Sequence, residues 1–236
     1  MDISEIVAAF PDFRVAVAVA SDLVIREARP PELGATIAER EQACRARWAG
    51  TELSEIPGVA VWRRAYRAFG IKKTSYRSSV ERLVKNMLAG RELPEINSFV
   101  DAYSAVSLKH VMPAGADDLD RVAGDLAFRY SRPGDSFVDM AVGEEGSDAP
   151  ADDPPKEGEV VYADAEKVLC RRWNWRQDAR SLVTPSTRRA VVTVQFNGAG
   201  DLDAAVADLV DLIGRFAGGR TAVAIADRDR PVVPLG

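Results

Sequence analysis

The sequence contains few of the residues that usually carry catalysis by metals or nucleophiles. Its 236 residues include two cysteines, Cys44 and Cys170, and a single histidine, His110. The cysteines belong to no metal-ligand or CxxC spacing, which fits a reducing, cytoplasmic compartment better than a disulfide framework. One histidine excludes a multi-histidine metal site, and Ser-His-Asp catalysis would have to pass through His110. We therefore expect no metal and no other cofactor.

Long apolar runs and generic catalytic motifs are also absent. No run of about 18 apolar residues occurs, which argues against export and against membrane spanning. The sequence contains no GxGxxG, P-loop, GxSxG or HExxH motif. Its hydrophobic content of 47% suffices for one sizeable core. We expect one compact domain over residues 1–236 and no membrane partner.

Charge is distributed unevenly along the chain. The net charge of −5 and the pI near 5.1 disfavour a protein that grips nucleic acid over its whole surface. Residues 62–91 nevertheless carry a net charge of +8, and residues 135–159 carry −8. The basic segment is able to attract a polyanion, although two solvated faces of opposite sign explain the same pattern.

Hydrophobic periodicity predicts an α+β fold, with helices early and strands later in the chain. Alternation at Phe13–Ser21 indicates a first strand. Helical spacing follows at residues 31–49, 59–69, 75–89 (capped by Ser75), 95–109 and Leu202–Phe216. Short β-prone runs lie at residues 125–130, 136–140, 159–163, 168–173, 190–196 and 221–226. Residues 143–158 are rich in Gly, Pro, Asp and Glu and predict an exposed acidic loop.

The first stretch with candidate site residues is INSFVDAYSAVSLKH, residues 96–110. Asn97, Asp101 and Ser104 are spaced i, i+4, i+7 and share one face of the predicted helix. A polar stripe on a largely apolar helix lines a pocket, is hydrogen-bonded, or faces solvent. Asp118, Asp120 and Arg129 lie near a later predicted strand, where carboxylates line a site or satisfy turn amides.

The second stretch is RRWNWRQ, residues 171–177. In an extended chain Trp173 and Trp175 share one face, and Arg172, Asn174 and Arg176 share the other. That arrangement suits stacking on a base or an amino-acid ring, with donors for a carboxyl or phosphate group. A tryptophan pair that anchors the sheet, with arginines paired to the acidic loop, is the alternative.

Four separated motifs occur together in one order. They are WRRAYRAFGIKKTSYRSSVERL, LPEINSFVDAYSAVSL, GADDLDRVAGDLAFR and EVVYADAEKVLCRRWNWRQ. With them the chain resembles the B3/B4 tRNA-editing domain of the phenylalanyl-tRNA synthetase β subunit, and more closely the free-standing proteins built from that domain. The resemblance covers a core of about residues 58–218 and leaves residues 1–57 as an N-terminal β-α extension.

The resemblance implies a central β-sandwich or mixed sheet of unusual topology flanked by helices, with tRNA or aminoacyl-tRNA as partner. In the synthetase this domain hydrolyses phenylalanine tRNA wrongly charged with tyrosine. The chain departs from the synthetase pattern at Gly115, where a histidine is usual, at Gln177 or Asp178, where a glutamate is usual, and at Ser104. A different amino acid, or binding of tRNA or a free amino acid without turnover, fits these departures.

On this resemblance we expect a hydrolase that deacylates misacylated tRNA in trans. The predicted catalytic residues are Asn97, Asp101 and Asp118. The predicted substrate contacts are Ser104, Arg129, Arg172, Trp173, Asn174 and Gln177. The predicted contacts to tRNA phosphates are Arg63, Arg64, Lys72, Lys73 and Arg77.

Overall fold

The computed structural model describes residues 1–71, 76–141 and 154–235. Within these residues five α-helices accompany two four-stranded antiparallel sheets, which confirms the predicted α+β class. The helices are α1 (Pro31–Trp48), α2 (Pro57–Ala68), α3 (Ser79–Leu88), α4 (Ser98–His110) and α5 (Leu202–Phe216). The strands are β1 (Phe13–Ser21), β2 (Ala114–Asp118), β3 (Ala127–Tyr130), β4 (Val160–Ala163), β5 (Val168–Arg171), β6 (Arg176–Gln177), β7 (Arg189–Asn197) and β8 (Arg220–Ala226).

The first sheet is built around the first strand of the chain. Its order is β2-β7-β1-β8, so β1 lies between the last two strands. The sequence FRVAVAVAS of β1 is small, apolar and β-prone, and seven of its nine residues are buried. A strand covered on both faces reads as a nearly continuous apolar run. β1 pairs with β7 from Phe13↔Asn197 to Ser21↔Arg189 without interruption.

The second sheet has the order β3-β4-β5-β6 and uses much shorter strands. The pairing of β4 with β5 shifts between Tyr162 and Ala163, which marks an irregularity in the ladder. A cluster of edge-to-face aromatic contacts involves Phe13 of β1 and Trp62 of α2 together with Trp173. This cluster forms part of the continuous main core.

Helix α4 is packed on several sides. It contacts α1, α5, α3 and β2, and eight of its thirteen residues are buried. The Asn97 carboxamide begins the helix by accepting hydrogen bonds from the backbone N–H groups of Phe99 and Val100. The helix ends at Val111, whose left-handed φ of 53° turns the chain toward β2. Such a φ is unusual for a β-branched residue and requires support from its neighbours.

Most predicted elements are present, and three predictions are corrected. Residues 136–140 form only an isolated bridge between Asp139 and Asp178. Ser78 caps α3, because its hydroxyl accepts the backbone N–H of Glu81, and the predicted cap Ser75 lies outside the described residues. Strand β2 was missed since AGADD is short, polar and poor in β-formers. Most of the predicted acidic loop lies outside the described residues, and residues 154–158 form neither helix nor strand.

Among the described residues, the structure contains no helix that combines the length and the apolar character needed to cross a bilayer.

Close backbone contact between α2 and the end of α4 generates a stability prediction. A Cβ atom added to Gly58 would lie 2.3 Å from the carbonyl oxygen of Val111. Gly58→Ala is therefore expected to lower the free energy of unfolding by about 1–3 kcal/mol, since backbone must shift to make room. Urea denaturation with one probe for each sheet measures the change.

The matched control is Gly214→Ala in α5, where an added Cβ meets nothing within 4 Å. Gly214→Ala restricts the unfolded backbone as Gly58→Ala does, but its added methyl group meets no other atom in the fold. It is therefore expected to raise the free energy of unfolding by up to about 1 kcal/mol. Equal stability of the Gly58→Ala variant and the unmodified protein would contradict the close contact.

Candidate functional site

A cavity of about 480 Å³ lies where both sheets meet α3 and α4. We call it the inter-sheet cavity. Sheet residues in its lining include Gly115, Asp117, Tyr162, Gln177, Thr193 and Gln195. Its volume lies in the range of sites that hold small organic molecules. Its lining mixes apolar side chains with polar groups that converge from several elements.

The pleat of the first sheet explains why polar groups meet on one side. Gly115 of β2 pairs directly with Thr193 of β7, and Asp117 pairs with Val191. Alternate residues of a strand face the same side, so Gly115 and Asp117 share a face with Thr193 and Gln195. An added Cβ at Gly115 would meet nothing within 4 Å, so this position leaves open space beside the polar groups.

Asp117 is a buried carboxyl group in the lining of the cavity. It is 3% exposed, and its Oδ1 accepts hydrogen bonds from the Ser181 hydroxyl at 2.6 Å and from Gln177 Nε2 at 3.0 Å. Desolvation raises the pKa of Asp117 to about 7, although these two hydrogen bonds oppose the shift. Its Oδ2 accepts no hydrogen bond from any described residue. One carboxylate oxygen is thus held, and the other has no hydrogen-bond donor among the described residues.

A chain of amide hydrogen bonds crosses the cavity lining. The Tyr66 hydroxyl donates to Asn174 Oδ1 at 2.9 Å, and Asn174 Nδ2 donates to Gln195 Oε1 at 3.0 Å. Gln195 Nε2 in turn donates to the Thr193 hydroxyl at 3.4 Å. These bonds fix which end of each amide is the donor and so orient the remaining N–H groups.

The RRWNWRQ segment reaches the cavity through a turn and not through an extended strand. Arg172 and Trp173 have left-handed φ values of 45° and 66°, which end β5 at Arg171. The predicted alternation of Trp173 and Trp175 on one face is therefore wrong. Instead Trp173 points into the core with 0% exposure, while Asn174 and Trp175 line the cavity.

The contacts of Trp173 and Arg172 differ from those that a base-stacking or phosphate-binding residue would need. The Trp173 ring makes edge contacts with Phe10 and Phe13 at centroid distances of 4.6 and 4.9 Å. The Arg172 guanidinium lies 3.8 Å from the Tyr76 ring centroid and 4.1 Å from that of Trp175. Both side chains are already enclosed by protein aromatic groups.

The predicted catalytic residues lie outside the cavity lining. Asn97 caps α4, and Asp101 is fully buried with an ion pair to Arg29 at 2.8 Å. Asp101 also accepts the backbone N–H of Ile96. Asp118 accepts the Thr187 hydroxyl at 2.6 Å and the backbone N–H of Asp120. All three stabilise turns and helix starts, as buried polar groups with complete hydrogen bonding commonly do.

The predicted substrate contacts divide between the cavity and other places. Ser104, Asn174 and Gln177 line the inter-sheet cavity. Arg129 lies apart from this lining and forms two hydrogen bonds with the Asp135 carboxylate, at 2.8 and 2.7 Å. Asp117, Thr193 and Gln195 were missed because they stand on strands whose partners are far away in sequence. The run of two aspartates in AGADD was the available signal for Asp117.

The basic segment is partly neutralised by one buried acid. Glu81, 3% exposed, pairs with Arg63 at 2.7 Å and with Arg77 at 2.9 Å. These three residues line a second cavity of about 200 Å³ between α2 and α3. Arg64 is exposed and has no ion pair with a described residue. Lys72 and Lys73 lie outside the described residues.

Potential metal ligands are dispersed in the part of the chain that the structure describes. No three side chains of His, Cys, Asp or Glu come together there in an arrangement suited to a metal ion.

The raised pKa of Asp117 predicts a specific pH dependence of stability. A carboxyl group whose pKa is higher in the folded state favours folding when protonated, so stability falls as pH rises toward and through about 7. Between pH 5 and pH 8.5 the protein is expected to lose about 1–3 kcal/mol more than the Asp117→Asn variant. Urea denaturation at both pH values measures this difference.

Asp120→Asn is the matched control, because the Asp120 carboxylate is exposed. Its ion pair with Arg189 is also exposed, and the two atoms are as far apart as 3.9 Å. Its pH profile is expected to follow that of the unmodified protein. Identical pH profiles for Asp117→Asn and Asp120→Asn would show that Asp117 ionises in the folded state without cost.

Comparison with known proteins identifies the family. The B3/4 domain model matches residues 61–199, which is more than half of the chain. No curated protein matches the sequence. A similar solved structure is an N-terminal fragment of the phenylalanyl-tRNA synthetase beta-subunit from Pyrococcus horikoshii, with 10% sequence identity and a TM-score of 0.39. The match covers 88% of this chain and 46% of that fragment, so the chain spans less than half of the fragment's length. The resemblance in the four motifs is confirmed, and the chain belongs to the B3/4 domain family.

Proposed function

We propose that the inter-sheet cavity binds the aminoacylated end of a tRNA and hydrolyses its ester, which makes the protein a deacylase of misacylated tRNA acting in trans. The observation that carries this proposal is Asp117, a carboxyl group in the cavity with one held oxygen, one oxygen that has no hydrogen-bond donor among the described residues, and a pKa of about 7. A general base works best when its pKa is near the working pH. Membership of the B3/4 domain family supports aminoacyl-tRNA as the substrate class.

In the proposed reaction the Asp117 carboxylate removes a proton from a water molecule as that water attacks the ester carbonyl carbon. A new C–O bond forms, the carbonyl oxygen gains negative charge, and the bond to the ribose oxygen then breaks. Asp117 gives its proton to the leaving ribose oxygen, which departs as a hydroxyl group, and the amino acid is released with a free carboxyl group. The ester is already activated, so positioning and electrostatic stabilisation supply much of the rate.

The remaining polar groups of the cavity have proposed binding roles. Asn174 and Gln195 each retain an N–H group beyond the amide chain described above, and such fixed donors suit the developing oxyanion. Gln177 holds Asp117 and is proposed to orient it. Ser104 lines the cavity from α4 and is proposed to contact the substrate side chain.

Asn97, Asp101 and Asp118 are proposed as positioning residues. Asn97 and Asp101 fix the start of α4, which carries Ser104. Asp118 fixes the end of β2 directly after Asp117. Arg129, Arg172 and Trp173 have no proposed contact with the reacting ester, because each is engaged elsewhere in the fold.

The central test is a deacylation screen of the purified protein against tRNAs mischarged with each amino acid. Loss of one or a few esters is expected, and Asp117→Asn is expected to lower its rate at least about 100-fold, as for removal of a general base. The rate of the unmodified protein should rise with pH through about 7, as Asp117 ionises.

Asp120→Asn serves as the control in this screen, since that exposed carboxylate lies outside the cavity lining. No turnover with any ester, alongside measurable tRNA binding, would overturn the hydrolase proposal and favour a binding module. Turnover that Asp117→Asn retains would overturn the role of Asp117 alone.

We also propose that the basic segment contacts tRNA phosphates outside the cavity, through Arg63, Arg64, Lys72, Lys73 and Arg77. Replacing Arg64, Lys72 and Lys73 together by Glu avoids breaking the pairs of Arg63 and Arg77 with Glu81. tRNA affinity is expected to fall, and its dependence on salt concentration to become weaker, because fewer counterions are released on binding.

Arg228, Arg230 and Arg189 are exposed cations outside the basic segment, and their joint replacement by Glu makes the same charge change elsewhere. Fluorescence anisotropy with a labelled tRNA at several salt concentrations compares the two triple variants. An equal effect of both would show that only net charge matters and would remove the basic segment from the proposal.

A further inference from the structure

Two arginines lie together in the lining of the inter-sheet cavity. Arg82 comes from α3, and Arg176 comes from β6. Arg176 donates to Asp139 at 2.9 Å, and its guanidinium lies 5.2 Å from the Trp175 ring centroid. Its Nε is buried and has no hydrogen-bond partner among the described residues. Arg176 is therefore held in place, but not all of its hydrogen-bond donors have an acceptor among the described residues.

Arg82 differs from Arg63 and Arg77 in having no ion-pair partner among the described residues. It is exposed, and its side chain makes no hydrogen bond or ion pair with a described residue. Desolvation, followed by the positive charge of Arg176, lowers the pKa of Arg82. By contrast, Arg63 and Arg77 share the carboxylate of Glu81.

Placing two guanidinium groups near each other is unfavourable unless an anion compensates them. Asp139 is the single acid paired with either of them among the described residues, and it pairs with Arg176. An arginine that lacks a carboxylate and borders a cavity is suited to bind phosphate, because its planar set of donors matches phosphate oxygens. Arg82 lies both in the cavity lining and at the protein surface. A phosphate bound by Arg82 would therefore belong to the part of a ligand that stays outside the cavity.

We propose that Arg82 and Arg176 form an anion subsite that binds a backbone phosphate of the single-stranded 3′ end whose terminal ester enters the inter-sheet cavity. This inference rests on the proposed function. It also identifies a backbone phosphate as the group of the ligand that lies at the edge of the cavity. The α-carboxyl group of an ester-linked amino acid carries no charge, so the phosphodiesters are the anions common to every such ligand. The subsite sets the position of the RNA backbone relative to Asp117.

The test measures binding of a 5′-fluorescein-labelled RNA trinucleotide CCA by anisotropy at several salt concentrations. Arg82→Gln is expected to weaken binding several-fold and to lower the slope of log affinity against log salt by about one, as for loss of one phosphate contact. Because Arg82 is exposed and unpaired with described residues, the substitution is expected to leave the fold intact. Arg176→Gln is expected to act in the same direction.

Lys85→Gln is the matched control, since Lys85 is exposed on the same helix, loses the same charge and lies outside the cavity lining. It is expected to change affinity less than twofold. Equal effects of Arg82→Gln and Lys85→Gln would overturn the subsite. A second ligand, a 3′-aminoacylamido adenosine without phosphate, is expected to bind the Arg82→Gln variant as well as the unmodified protein.

Neither binding measurement requires turnover, so the two proposals fail separately. Binding of CCA that depends on Arg82, with no deacylation of any tRNA, supports the subsite and overturns the hydrolase. Deacylation that is unchanged in Arg82→Gln, with unchanged binding of CCA, supports the hydrolase and overturns the subsite. An equal loss of affinity for the ligand without phosphate also overturns the subsite.

Discussion

The left-handed turn at Arg172 and Trp173 fixes the relation between the core and the cavity. Left-handed φ values in non-glycine residues cost roughly 1 kcal/mol each and persist only when neighbouring contacts compensate them. Two sets of contacts do so. The buried Glu159 carboxylate accepts hydrogen bonds from the Arg171 side chain at 3.0 and 2.9 Å and from the Arg172 backbone at 2.8 Å. The Trp173 ring fills the aromatic cluster between the sheets and α2.

With these two contacts made, the following residues have little freedom. The Trp173 backbone N–H donates to Val160, and the Asn174 carbonyl accepts the N–H of Ser79 at the start of α3. Asn174 then faces Gln195 and Trp175 faces Tyr76. The positions of the polar side chains in the cavity therefore depend on the packing of the apolar Trp173 ring in the core. A rigid support of this kind is what a site needs to hold its groups in fixed orientation.

Sequence patterns predicted the elements whose conformation is determined by residues close together in the sequence. The alternation of Phe13–Ser21 and the helical spacing of Leu202–Phe216 gave the observed bounds, because apolar periodicity reports directly on burial. Asn97, Asp101 and Asp118 were correctly noticed as unusual polar residues. Their role as capping and pairing groups depends on Arg29 and Thr187, which are remote in sequence.

The part of the cavity lining that the first sheet supplies could not be predicted from the sequence, because it depends on contacts between remote residues. Gly115 and Thr193 become neighbours only through strand pairing, and Gln177 meets Asp117 only when the two sheets approach each other. Ser104, Asn174 and Gln177 reach the cavity, although the extended geometry assumed for the RRWNWRQ segment was wrong. Two consecutive left-handed residues in an arginine-tryptophan pair have no signal in composition, because glycine usually takes such positions.

The central place of β1 has a consequence for how the protein folds. Its partners β7 and β8 are formed from the last fifth of the sequence, so the first sheet rests on contacts between residues far apart along the chain. Closing so long a loop costs entropy before any pairing compensates it, and folds dominated by such contacts form slowly. During synthesis the apolar edges of β1 emerge long before their partners exist. Until β7 and β8 have been made, β1 has unpaired backbone groups on both edges, which is the kind of strand that associates with other chains.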